Sequence, residues 1–336
     1  MPKIKAKKIA LIHVSGRIGD TLFITSLINT LKKNYPQSQI TVYLHRNTIH
    51  LLENNDEIYK LCVISAKKAI FKGWLSRKRY DLSIVSYSPD EEADNLKGFA
   101  LRVSRKVVSF SEENSKFKGR LTYVAKKDFS KDKHIINYYH ALTDCISLKN
   151  GDLRVHYYSS KKEIIEIEKI ISDSSLKDCQ KIIGVKITSL ASRSYRNWPE
   201  KNLISLLKKI KNAYPNFGFI FFGGMDEYEL YDRLGIEAKV NFFNASEFSM
   251  RQIGAMGQKL DCYIGVDTGV THLISSLNIP LILLYHPDNP SSKYAPLNHP
   301  NLVIEMADNT RNTEKAMEHI KPQKVFEIFK GIFKES

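Results

Sequence analysis

Short runs of consecutive apolar residues recur along the whole chain and alternate with amphipathic stretches. A first series reads as strands at 8–14 (KIALIHV), 39–44 (QITVYL), 61–64 (LCVI), 81–86 (DLSIVS) and 105–109 (RKVVS). A second follows at 181–187 (KIIGVKI), 217–222 (FGFIFF), 239–243 (KVNFF), 261–265 (DCYIG) and 280–285 (PLILLY). Strands that are apolar throughout are buried on both faces, so they call for parallel sheets covered by helices. The amphipathic stretches predict helices near 20–34, 66–78, 134–147, 199–213, 226–234, 247–258 and 268–277. The segment 149–180 breaks the rhythm with "KNGD" and a charged helix over 160–172. The pattern predicts an α/β fold of two Rossmann-like domains, 1–150 and 181–312. Residues 151–180 form the link, and a last helix within 313–336 packs back on the first domain.

A chain of 336 residues is long enough for two cores of this kind. No apolar run approaches the ~20 residues of a membrane span. The opening "MPKIKAKKIALIHVSG" has a short apolar core containing His13 and no small-residue cleavage site, so it reads as a first strand behind a basic tail. Cys62, Cys145, Cys179 and Cys262 are far apart, which indicates neither a zinc site nor a disulfide framework and fits a reducing compartment.

In such sheets ligands sit beyond the carboxyl ends of strands, so the loops there carry the chemistry. The first is "SGRIGDTLF". Gly16 and Gly19 permit a tight turn and a close ligand, with Arg17 between them. The spacing matches neither the dinucleotide-binding nor the P-loop pattern. Asp20 is either a helix cap or a general base able to take a proton from a hydroxyl. The second is "GVDTGVTHL", where Asp267, Thr268 and Gly269 open a helix whose amides face an anion, with His272 one turn on. The third is "SLASRSYRNWPEKNL". Here Ser192, Arg193 and Arg196 stand above a strand end, suited to a diphosphate, before a helix opened by Pro199. The fourth is "FFGGMDEYE", where Gly223 and Gly224 allow close approach to the backbone. There is no DxD, HExxH or GxSxG, so these stretches support neither metal-dependent transfer nor acyl hydrolysis.

Taken in order, three of these stretches resemble the lipopolysaccharide heptosyltransferases, glycosyltransferase family nine. They are "IALIHVSGRIGDTLFITSLINTLKKNYPQSQITV", "RNWPEKNLISLL" and "CYIGVDTGVTHLISSLNIPLILLYHPDNPSSKYAP". The resemblance covers residues 8–45 and about 181–297. It implies a GT-B fold, two Rossmann-like domains with parallel sheets facing across a cleft. It also implies inverting, metal-independent transfer of a heptose from ADP-heptose to the inner core of lipopolysaccharide, with no cofactor. By the same resemblance Asp20 is the base, a role compatible with capping. Ser192 and Arg196 contact the diphosphate, and Asp267, Thr268 and Gly269 form the donor turn beside His272. Phe248 lines the nucleobase pocket, and Gly224 adds to the donor site. Arg196 replaces the lysine of many relatives, and "YHPDNP" replaces the commoner Phe-Gly-Pro. Segment 66–150 matches nothing in the family pattern and is where acceptor contacts are expected.

Net charge is +15, of which residues 1–150 hold +13 and the remainder +2. Such asymmetry assigns the first half to an anionic partner. The partners that the resemblance implies are the lipopolysaccharide acceptor of the Kdo-lipid A type and the cytoplasmic face of the inner membrane, for a peripheral monomer. The segment "AKKAIFKGWLSRKRY" (66–80) interleaves Phe71, Trp74 and Tyr80 with Lys67, Lys68, Lys72, Arg77, Lys78 and Arg79, just after Lys60. It reads as a membrane- or acceptor-facing helix. Two alternatives stand beside this: a relative using another nucleotide sugar such as an N-acetylglucosamine donor, and a basic nucleic-acid-binding α/β protein. No nucleic-acid-binding motif supports the latter.

Overall fold

Both halves of the chain fold as parallel sheets with the same strand order. The computed structural model describes all residues except 1–3, 66–68, 70–77, 92, 111–114, 118, 131–132, 190, 308–312 and 335–336. Most of the basic-aromatic segment 66–80 therefore lies outside the described residues. The chain divides into two units, Met1–Tyr158 and Ser159–Ser336.

The first unit holds β1 (Lys8–His13), β2 (Gln39–Leu44), β3 (Lys60–Val63), β4 (Tyr80–Ser86), β5 (Ser104–Phe110) and β6 (Tyr123–Ala125), in the order β3-β2-β1-β4-β5-β6. The second holds β7 (Lys181–Lys186), β8 (Phe217–Phe221), β9 (Asn241–Asn244), β10 (Cys262–Val266), β11 (Leu281–Tyr285) and β12 (Leu302–Met306), in the order β12-β11-β10-β7-β8-β9. Counted from each unit's own first strand, both are 3-2-1-4-5-6, the doubly wound order. The order reverses between β1 and β4 in one unit and between β7 and β10 in the other. Ile9 pairs with Leu82 and Cys262 with Ile183 across these two points. The central strands are apolar because helices cover both faces: Ile9, Leu11, Val42, Ile84, Val185, Phe219 and Ile264 are all inaccessible to solvent.

The ten strands expected from continuous apolar runs are present. The two that the runs did not reveal, β6 and β12, are edge strands, as are β3 and β9, and all four are partly exposed. β6 has only three residues and β12 carries Glu305, so neither shows a long apolar run. The single helix expected at 20–34 is two, Ile18–Phe23 and Thr25–Asn34. At the break the hydroxyls of Thr25 and Ser26 donate to the carbonyls of Leu22 and Phe23 at 2.6 and 2.8 Å, which competes with the helical ladder. A helix at Asp94–Val103 was not expected, although Leu96, Phe99, Ala100 and Val103 are buried at helical spacing. The terminal stretch is a 3₁₀ segment, Thr313–His319, then a helix, Pro322–Lys334, opened by its proline. Val325 and Phe329 of that helix belong to the core of the second unit. The Trp198 indole N–H and Asn202 Nδ2 both donate to the Ile320 carbonyl, at 3.0 and 3.2 Å. This ties the Trp-Pro turn to the terminal segment.

Gly235 lies inside the helix Tyr228–Ala238, where alanine is intrinsically better by about 1 kcal/mol. A Cβ there would stand 2.5 Å from the Phe242 ring, itself packed on Phe221. Overpacking outweighs propensity. Gly235→Ala is expected to lower stability in urea denaturation by about 1–3 kcal/mol. A gain would show that the β9 ring yields freely.

Candidate functional site

The first cluster grows out of the point where the sheet order reverses. β1 ends at His13 and β4 at Ser86, which are paired in register. His13 Nδ1 lies 3.2 Å from Ser86 Oγ, so the two strand ends are joined by side chains as well as backbone. The chain then turns through Ser15 and enters the helix Ile18–Phe23. The N-cap is Arg17, with no side-chain cap bond, and Asp20 is the third helical residue. Asp20 is therefore not the cap, and its carboxylate is engaged elsewhere. Oδ2 accepts from Ser88 Oγ at 2.6 Å and Ser15 Oγ at 3.3 Å, and Oδ1 accepts from the Tyr139 hydroxyl at 3.3 Å. The Arg17 guanidinium lies 3.7 Å from Oδ2 while holding Asp90 through two bonds of 3.1 and 2.8 Å. Asp20 keeps 12% of its side chain exposed.

Three strands of chemistry thus meet at one carboxylate: the loop after β1, the loop after β4, and the helix Ile135–Asp144. Burial pushes the His13 imidazole down to about 4, against the pull of Asp20 and Ser86, so the ring is neutral near pH 7. Burial raises Glu91, whose carboxylate takes the Ser88 N–H; the nearby Asp20 and Asp90 charges raise it further. Gly16 and Arg17 are exposed and Gly19 is partly buried. Gly16 does not adopt a positive φ, and a Cβ there would make only an ordinary contact 3.8 Å from His45. What its missing side chain leaves is open surface above the turn.

The second cluster occupies the equivalent place in the second unit. β10 leads to Asp267 and Thr268. Thr268 caps the short helix Gly269–Ile274 by accepting from the Thr271 N–H. Asp267 Oδ1 lies 3.1 Å from His272 Nε2, Oδ2 accepts from Asn289 Nδ2 at 2.7 Å, and Arg196 Nη1 is 4.0 Å away. Burial works to raise this carboxyl. The His272 bond and charge, the Asn289 amide and the Arg196 charge outweigh it and hold Asp267 below its ordinary value. His272 is thereby an orienter of Asp267. Arg196 and Tyr195 pack together, and Tyr195 meets the buried His286 ring edge-on at 4.9 Å. Ser192 and Arg193 are exposed on the 3₁₀ turn Ala191–Arg196.

On the β7 side, Lys186 is buried and donates to Thr188 Oγ1 at 2.7 Å and Glu227 Oε2 at 2.5 Å. Burial lowers its pKa and the Glu227 charge resists. The same Glu227 oxygen accepts the Gly224 N–H at 2.7 Å, which closes the turn after β8. Phe248 is half-buried beside Phe243, 5.5 Å between ring centres. Ser15, Ser88 and Tyr139 around Asp20, and Lys186, Glu227 and Asn289 in the second unit, were not expected from sequence. Only Lys186 carried a signal, a lysine inside an apolar strand. Among the described residues no group of three or more His, Cys, Asp or Glu is placed to hold a metal ion.

The sequence profile of glycosyltransferase family 9 (heptosyltransferase) matches residues 99–324, more than half of the chain, and so includes 99–150, where no family pattern was expected. Lipopolysaccharide heptosyltransferase 1 of Campylobacter coli is 29% identical over 128 residues, which span 37% of this chain and 37% of that protein. The chain thus aligns with well under half the length of that relative. Among solved structures, a glycosyl transferase family 9 protein of Veillonella parvula matches with a TM-score of 0.82 at 17% identity, over 98% of both chains. ADP-heptose lipopolysaccharide heptosyltransferase II of E. coli matches with a TM-score of 0.78 at 20% identity, over 97% of this chain and 98% of that one. At these identities the likeness is one of fold, and the GT-B expectation agrees with it.

The neutral His13 has a consequence for stability. Between its unfolded value near 6.5 and its folded value of about 4, the unfolded chain binds a proton that the folded chain refuses. Stability is therefore full above the unfolded value and falls as pH drops through that window. The thermal midpoint is expected to fall between pH 7 and pH 5, and to fall less in His13→Gln. An identical pH dependence in the two proteins would show that the His13 ring is charged in the fold.

Proposed function

Because the chain belongs to glycosyltransferase family 9, we propose that it transfers a heptose from ADP-heptose to the inner core of lipopolysaccharide, with inversion and without a metal. The observation that carries this reading is the Asp20 carboxylate, held by three hydroxyls at the reversal point of the first sheet yet still open to solvent. In the reaction the acceptor hydroxyl gives its proton to Asp20 while its oxygen bonds to the anomeric carbon. The bond from that carbon to the diphosphate breaks, and ADP leaves with the electron pair. This needs one base and one strong anion site.

The second unit supplies the donor contacts. Arg196 and Ser192 take the diphosphate, since guanidinium meets phosphate oxygens in pairs. Thr268 and Gly269 present the donor turn with His272 beside it, Gly224 adds to the donor site, Asp267 orients the sugar, and Phe248 lines the nucleobase pocket. In the first unit Gly16, Arg17 and Gly19 frame the acceptor. Kdo-lipid A carries carboxylate and phosphate groups, which suits a half with a net charge of +13. Among the described residues no helix is long and apolar enough to cross a membrane. Attachment to the cytoplasmic face of the inner membrane then rests on basic residues, each worth ~1 kcal/mol near an anionic leaflet. The enzyme acts as a monomer.

The test is ADP release from ADP-heptose with truncated lipopolysaccharide acceptors in the presence of EDTA, the product anomer being read by NMR. Asp20→Asn is expected to lower kcat by about 10²–10⁴-fold with ADP affinity unchanged. Wild-type activity in that variant would remove Asp20 as the base, and silence in EDTA that metal restores would remove metal independence. Arg196→Ala is expected to weaken ADP binding by about 10- to 100-fold in calorimetry. Unchanged affinity would place the diphosphate elsewhere.

A further inference from the structure

The two oxygens of Asp20 are unequally occupied. Oδ2 accepts from Ser88 and Ser15 and faces Arg17, whereas Oδ1 accepts from Tyr139 alone. A carboxylate oxygen offers about two acceptor positions, so Oδ2 is filled and Oδ1 has one left. We propose that Oδ1 is the atom that receives the acceptor proton and that Tyr139 is the positioning residue that fixes it. This rests on Asp20 being the base.

Tyr139 is built for a fixed role. It is wholly buried in the helix Ile135–Asp144. Its ring meets His13 edge-on at 5.6 Å and Tyr138 at 5.3 Å. Burial first, and then the Asp20 charge, raise its hydroxyl well above the ordinary phenol value, so the group remains a donor through any working pH. At 3.3 Å its bond to Oδ1 is longer than the 2.6 Å bond from Ser88 to Oδ2. The reacting oxygen is therefore held in place but more weakly engaged than its neighbour, the right balance for an atom that must accept a proton.

The charged and titratable groups that bear on Asp20 come from each element around it. Arg17 lies on its own helix turn, Asp90 and Glu91 follow β4, His13 ends β1, and Tyr139 is on the neighbouring helix. Tyr139→Phe keeps the ring contacts and removes a hydroxyl that meets both Asp20 Oδ1 and Ser88. A hydrogen-bond donor favours the ionised form of a carboxylate, and this substitution removes one.

Two measurements test this. The Asp20 carboxyl is titrated in the apo protein by isotope-edited infrared difference against Asp20→Asn. Turnover of ADP-heptose with a Kdo-lipid A acceptor is followed against pH. In Tyr139→Phe the titration and the acid limb of kcat/KM move to higher pH. The plateau kcat falls about tenfold or more while the acceptor KM holds, as expected for a misplaced base. Ser88→Ala moves the titration the same way but costs less plateau kcat. An unmoved titration or an unchanged kcat in Tyr139→Phe, with Asp20→Asn inactive, overturns the role of Tyr139 alone. A loss in Ser88→Ala equal to or larger than that in Tyr139→Phe overturns the assignment to Oδ1. Full turnover by Asp20→Asn overturns the base itself, and the positioning role with it.

Discussion

Burial of both faces of each parallel sheet is the constraint on which everything else rests. Helices over Ile9, Leu11, Val185 and Ile264 leave no room for polar chemistry on the sheet surface. Polar side chains are pushed to the strand ends, and only where the strand order reverses do the flanking loops part to leave a crevice. In the first unit that place receives Asp20 from the loop after β1 and Ser88 from the loop after β4. In the second it receives Lys186 and Thr188 from β7 and the following turn, and Asp267 from the end of β10. The same topology thus gathers polar side chains at two strand-end clusters, and their composition gives each a different chemistry.

The parts legible in the sequence are those written in contiguous residues. Continuous apolar runs make ten of the twelve strands visible, the partly exposed edges β3 and β9 included, whereas the three-residue β6 and the Glu305-bearing β12 show no such run. Asp20, Asp267, Arg196 and Ser192 are visible because each stands in the turn, or the first helical turn, that follows a buried strand. Ser88 and Tyr139 are invisible for the opposite reason. They reach Asp20 across 68 and 119 residues of chain, and a serine in a loop or a tyrosine on a helix carries no mark of what it will touch. Asn289 meets Asp267 across 22 residues under the same condition. The helix Asp94–Val103 is a different case, since its apolar spacing was readable. It sits between the stronger strand signals of β4 and β5.

The two carboxylates show how environment divides labour between chemically identical groups. Asp267 is as little exposed as Asp20, and it has an imidazole beside one oxygen, an amide on the other and a guanidinium at 4.0 Å. Those partners hold it below its ordinary pKa and leave it a poor proton acceptor near neutrality. Its fitness is for holding: it fixes the start of the helix Gly269–Ile274 to the loop of Asn289 and to Arg196. Asp20 is met mainly by hydroxyls, and the guanidinium beside it is drawn into a bidentate pair with Asp90. Hydroxyl donors orient a carboxylate with far less electrostatic stabilisation than a dedicated cation gives. The neighbouring His13 ring stays neutral and adds no positive charge to suppress proton uptake. A carboxylate oriented by hydroxyl donors, whose nearest guanidinium is itself paired with Asp90, suits the proton abstraction proposed for Asp20.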